Sequence, residues 1–125
     1  MTERDDVLAL LPLHPRDFLI LVALADGELH GYGLVKRIEE ESEGSVRMDP
    51  ANLYRSLRRL ERDGCVEEVE FESERGAWDE DDERRRYYGL TSLGRQVAAA
   101  EAARVSRLVR TTRVKKLIGR LESGR

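Results

Sequence analysis

Four arginines and one asparagine share one face of a single predicted helix, Asn52, Arg55, Arg58, Arg59 and Arg62. Guanidinium groups bond guanine edges or phosphates, and an asparagine amide can pair with adenine, so this face has the chemistry to meet a DNA major groove. The spacing supports the helix. Asp49 is a good N-cap, Pro50 suits the first helical position, and Gly64 sits where helices end. At about 100° per residue, Leu53, Leu57 and Leu60 form an apolar stripe on the opposite side. The competing reading is a solvated amphipathic helix, because arginine forms helices well and charge belongs outside.

The rest of the chain must hold that helix. Pro15 starts an earlier helix, and Phe18 to Ala25 is apolar nearly all round, as in a helix buried on most sides. Gly27 ends it. Leu29-His30-Gly31-Tyr32-Gly33 leads into a second helix, with Gly31, Leu34, Val35 and Ile38 on one face and Lys36, Arg37, Glu39, Glu40 and Glu41 on the other. Ser45-Val46-Arg47-Met48 reads as a short strand before the Asp49 cap. After Gly64, Cys65 to Glu72 reads as a strand, Ser73 to Glu83 as an acidic turn, and Arg84 to Leu90 as the returning strand. Thr91 caps a last helix running to about Leu121.

This order, three helices with a hairpin and a further long helix, is a winged helix-turn-helix. The fold class is mainly α with a small β-hairpin, plus a long C-terminal dimerisation helix. Residues 1–13 form an N-terminal arm, 14–91 the DNA-binding domain and 92–125 the dimerisation helix. The arm is either extended or a short helical turn, and its apolar run Val7 to Leu13 needs a surface to cover.

Net charge is −3, which opposes DNA binding only if charge is evenly spread. Residues 1–43 carry 4 basic and 10 acidic groups, residues 44–65 carry 5 and 3, residues 66–83 carry 1 and 10, and residues 84–125 carry 12 and 2. The basic excess therefore lies around the arginine helix and the C-terminus. A local basic face, not overall charge, decides nucleic-acid contact. The charged fraction of 38% and aromatic fraction of 6% imply an aliphatic core beneath a charged surface. The longest apolar run is too short to span a bilayer. One cysteine, Cys65, cannot form an internal disulfide, and the N-terminus lacks a signal-peptide pattern, so the expected location is cytoplasmic without membrane contact.

No catalytic set is expected. His14 and His30 have no ligand or triad partners at suitable spacing, and Cys65 reads as a small buried hydrophobe. The acidic run Asp79 to Glu83 lacks the spacing of a calcium loop and reads as solvated, so neither metal nor cofactor is expected. An alternative is that this run lies against the basic terminal helix of a partner subunit. Trp78 reads as folded over its own hairpin, with stacking on a partner or an effector as the alternative.

The terminal helix carries two apolar stripes. Val105, Leu108 and Val109 lie on one side, and Val114, Leu117, Ile118 and Leu121 nearly opposite. Either a straight helix faces two surfaces, or the chain breaks at Thr111-Thr112. In both cases there is more apolar surface than one small domain covers, so a homodimer is expected, with Phe18 joining these residues.

Several stretches resemble the PadR family of transcriptional regulators. They are Leu19 to Gly27, Leu29-His30-Gly31-Tyr32, Asn52 to Glu61, Gly64, Val66, Arg85-Arg86-Tyr87-Tyr88 and Leu90 to Arg95, in the family's order. The resemblance implies a dimeric DNA-binding repressor whose terminal and first helices build the dimer. It also implies that the helix opening at Pro50 is the recognition helix, with Tyr54 approaching the DNA backbone. The family often carries proline after that tyrosine; here it is Arg55. Asn52, Arg55 and Arg59 are the expected base contacts. Tyr54, Arg58 and Arg62 are expected at phosphates; Arg85 and Arg86 at the base of the wing either join them or neutralise the acidic run Asp79 to Glu83 beside them. A small-molecule effector, if one exists, is not identified by any residue. The alternative in a different class is a winged-helix module that modulates another regulator without binding DNA.

Overall fold

A computed structural model describes residues 2–69 and 86–124. In chain order the elements are α1 (Glu3–Ala9), α2 (Pro15–Ala23), β1 (Leu29–His30), α3 (Gly31–Glu41), α4 (Pro50–Arg62), β2 (Val66–Val69), β3 (Tyr87–Leu90), α5 (Ser92–Val109) and α6 (Thr112–Ser123). The helices α2, α3 and α4 pack on one another, and α5 lies against α1 and α2. The sheet has the order β1-β3-β2 and is antiparallel throughout, with Leu29 opposite Tyr88 and Val66 opposite Leu90.

The core forms where the apolar stripes converge. Ile20, Leu21 and Leu24, Leu34 and Ile38, and Leu53, Leu57 and Leu60 are buried together with Val66, Tyr88 and Val97. Each such aliphatic side chain contributes about 1.5–3 kcal/mol by leaving water. The three leucines of α4 are therefore its anchor, as their spacing predicts.

One expectation changes. The third strand is β1, not Ser45–Met48. The segment after α3 is instead drawn back by Ser42, whose Oγ accepts from the Val46 N–H at 3.0 Å and donates to the Val46 carbonyl at 3.3 Å. Glu43 and Gly44 turn the chain through positive φ, at 52° and 82°. Val46 and Met48 consequently face the core rather than a neighbouring strand. The N-terminal arm is helical: Thr2 and Asp5 form a capping box, Val7 is buried, and Leu10, Leu11 and Leu13 pack on this protomer's own core. Of the two alternatives for the terminal helix, the structure has the break at Thr111-Thr112, with Thr111 capping α6.

Two junctions fix α5. At its start, the Thr91 hydroxyl donates to the Gly64 carbonyl at 2.5 Å and accepts from the Gly94 N–H at 3.0 Å, while the Thr91 N–H donates to the Cys65 carbonyl at 3.1 Å. Gly94 lies so close that an added Cβ would sit 2.0 Å from the Cys65 carbonyl oxygen. Further along, the buried Glu101 accepts from the Leu13 N–H at 2.5 Å and from Arg104 Nε. Burial alone would push this carboxyl up. The hydrogen bonds from Arg104 and Leu13, with the charge of Arg104, outweigh burial and hold it below its ordinary value.

Gly94→Ala should therefore destabilise the protein, by roughly 1–3 kcal/mol, although alanine normally favours a helix by about 1 kcal/mol. Denaturant unfolding checks this, and an unchanged or raised midpoint would refute the contact. Because its folded pKa is lowered, Glu101 stabilises the fold fully above about pH 4.5 and progressively less as pH falls through the lowered value. Glu101→Gln should melt at a lower temperature than wild type at pH 7. That deficit should shrink in thermal melts as pH falls below about 4.5.

Candidate nucleic-acid interface

The helix α4 is built to present one face. Asp49 accepts from the Asn52 N–H at 2.8 Å, which satisfies an orphan donor of the first turn, and Pro50 lacks the donor that would be orphaned there. At the other end Gly64, at φ 80°, lets the Gly64 N–H reach the Glu61 carbonyl at 3.0 Å and the Cys65 N–H reach the Leu60 carbonyl at 2.9 Å. That pair of bonds is a Schellman closure. With both ends closed and Leu53, Leu57 and Leu60 buried, the opposite face is fixed in direction.

On that face Arg55, Arg58 and Arg62 are exposed. Tyr54 is 41% exposed and crosses to α3, where a Cβ added to Gly31 would lie 2.8 Å from its hydroxyl. Gly31 thus lets the hydroxyl end of the tyrosine approach the start of α3. Ala51, Tyr54, Arg55 and Arg58 line one open depression. A second, on the neighbouring side, is lined by His14, Arg16, Asn52, Arg55, Ser56 and Arg59. His14 and Arg16 were not singled out by sequence spacing, and they join this face from the start of α2.

Three expected contacts are placed differently from a free side chain. Asn52 donates its amide to Asp49 Oδ2 at 3.0 Å, which leaves its oxygen and one N–H uncommitted to that cap. Arg59, expected to read a base, is instead held by Asp17 of α2: Nε donates to Oδ2 at 3.2 Å and Nη2 to Oδ1 at 2.7 Å. Arg86 pairs with Glu68 across the hairpin at 3.4 Å, with both side chains well exposed, a geometry that contributes little to stability. Arg85, Trp78 and Asp79 to Glu83 lie outside the described residues.

Both histidines act as helix N-caps. His14 Nδ1 accepts from the Arg16 N–H at 3.1 Å and His30 Nδ1 from the Gly33 N–H at 2.8 Å. Cys65 is buried, and desolvation, with smaller effects from Asp63 and Asp17, pushes its thiol up and away from nucleophilic use. Among the described residues no group of three or more His, Cys, Asp or Glu side chains is arranged to hold a metal ion. No helix among them is long and apolar enough to cross a membrane.

Of the residues expected at a dimer contact, Leu108, Val109, Leu117, Ile118 and Leu121 are exposed, and Leu121 reaches 79%. Val105, Val114 and Phe18 are half-buried. The helix α6 buries none of its side chains in this chain.

A capped, leucine-docked helix with a basic outer face, packed on two helices beside a three-stranded sheet, defines a winged helix-turn-helix regulator. Residues 20–100 match the transcriptional regulator PadR-like family, and the chain belongs to that family. A 37.1 kDa uncharacterised protein in a transposon of Streptomyces fradiae is 40% identical over 90 residues, which make up 72% of this chain. Those residues are 23% of that protein, so the chain spans about a quarter of its relative's length. Solved structures share the fold. A transcriptional regulator from Clostridium thermocellum superposes with a TM-score of 0.61 at 24% identity, covering 84% of this chain and 87% of that one. A PadR family regulator from Clostridium difficile gives 0.62 at 19%, covering 88% and 100%. Bacillus subtilis PadR in complex with operator DNA gives 0.56 at 22%, covering 81% and 50%.

Proposed function

We propose that the protein is a sequence-specific, duplex-DNA-binding repressor that acts as a homodimer on a pseudo-palindromic operator. The observation that carries this reading is the fixed outward face of α4, with Arg55, Arg58 and Arg62 exposed around Tyr54 and Asn52. Arg55 and Asn52 are the base-reading candidates. Arg58, Arg62 and Tyr54 face phosphates, and Arg85 and Arg86 add charge at the wing base. Arg59 leaves the reading set because Asp17 holds it. The Bacillus subtilis PadR structure with operator DNA supports the same use of the fold.

The surfaces that pair would be the C-terminal helices with the helix that carries Phe18. Exposed Leu108, Val109, Leu117, Ile118 and Leu121 form the kind of apolar surface that a second copy covers. Two-fold pairing would set the α4 helices about one DNA turn apart, roughly 34–36 Å or a multiple of it. An effector, if one exists, would act by changing that separation.

Gel shift against DNA from the protein's own upstream region, at low and moderate salt, tests the reading. Arg55→Ala should weaken cognate binding about 5–150-fold, the effect of losing roughly 1–3 kcal/mol. Wild-type protein that binds no duplex at low salt would favour a protein-interaction module instead. Replacing Leu117 and Leu121 together with glutamate should convert a dimer into a monomer in sedimentation at micromolar concentration. A wild-type monomer would sink the two-fold scheme.

A further inference from the structure

The pair that removes Arg59 from the reading face carries a consequence for how the protein discriminates between sequences. Asp17 is the one acid of α2, followed there only by apolar residues, and its side chain is only 8% exposed. Its two carboxylate oxygens take the Nε and Nη2 edges of Arg59 side by side, at 3.2 and 2.7 Å, and Ser56 Oγ lies 3.4 Å from the same Nη2. The Arg59 side chain is nevertheless 44% exposed and lines the same depression as His14, Arg16, Asn52 and Arg55. It stands one helical turn beyond Arg55. A guanidinium at this place, if released, would be within the field of the same phosphates.

We propose that Asp17 is a specificity-determining positioning residue, which captures Arg59 and withholds its charge from the DNA phosphates. The proposal rests on the DNA-binding reading above. Phosphate contacts raise affinity for every duplex alike, whereas discrimination depends on the ratio of cognate to non-cognate binding. An arginine neutralised by a nearly buried carboxylate adds no sequence-independent attraction. It stays captured on DNA because leaving would strand Asp17 as an unpaired, desolvated charge, a cost that one solvent-exposed phosphate contact does not repay.

The test measures affinity for cognate and scrambled duplexes across a salt series, with thermal melting to confirm that each variant is folded. For Asp17→Asn, the salt slope should steepen by about 0.9 per protomer, and scrambled DNA should bind about 5–10-fold tighter near 0.1 M salt. The cognate-to-scrambled ratio should fall. The double variant Asp17→Asn with Arg59→Gln, which keeps the net charge of the pair, should return to the wild-type slope. A purely structural ion pair predicts otherwise: Asp17→Asn would melt earlier and bind both duplexes more weakly, with no steeper slope. That result overturns the proposal, as does a slope lowered by about 0.9 per protomer in the double variant, which would place Arg59 on a phosphate in the wild type. If wild type binds in an Arg55-dependent way while Asp17→Asn leaves the slope unmoved, the proposal alone fails. If wild type binds no duplex, the DNA reading fails and the proposal with it.

Discussion

The close approach of α5 to the end of α4 is the constraint on which the rest depends. Gly94 rests on the Cys65 carbonyl, and Thr91 bonds to both Gly64 and Cys65. The residues that close the basic helix are thus the same residues that seat the C-terminal helix. No side chain of ordinary size fits between them. The direction of the basic face and the direction of α5 are set by one contact, so neither can rotate alone. In the proposed dimer, such a joint would carry geometry from α5 to the proposed DNA face.

A second tie works from the other side. Glu101 holds the backbone before α2 through Leu13, and α2 in turn holds α4 through Asp17 and Arg59. Two carboxylates in otherwise apolar surroundings therefore brace the helical layer. Asp17 is compensated by two donors of Arg59, and Glu101 by Arg104 and the Leu13 N–H, which is the condition under which a desolvated carboxylate is tolerated. The apolar core supplies the bulk of the cohesion, and these polar ties set its orientation.

Much of this was legible in the sequence, for reasons that can be traced. The ends of α4 followed from Asp49, Pro50 and Gly64 because caps act over three or four residues. Its buried stripe followed from leucine spacing. The break before α6 was foreshadowed by two apolar stripes on opposite sides of one continuous pattern. What failed depended on distant partners. The short segment after α3 has β-like composition, yet a serine four residues upstream drew it into a turn. Arg59 looked like its neighbours, and only its encounter with Asp17, 42 residues away, distinguishes it. The signal that could have found it was the lone acid opening the apolar run of α2, since a buried charge needs a partner. β1 was missed because two residues are too few for a period.

The chain contains a single thiol, and it lies buried at the seam between α4 and α5. A maleimide or disulfide reagent cannot reach it in the closed molecule, and burial also suppresses its thiolate. Its labelling rate consequently counts how often this seam breathes. The protein carries a built-in clock for opening at the joint, readable by mass spectrometry with no engineered probe and no second cysteine to confuse the signal.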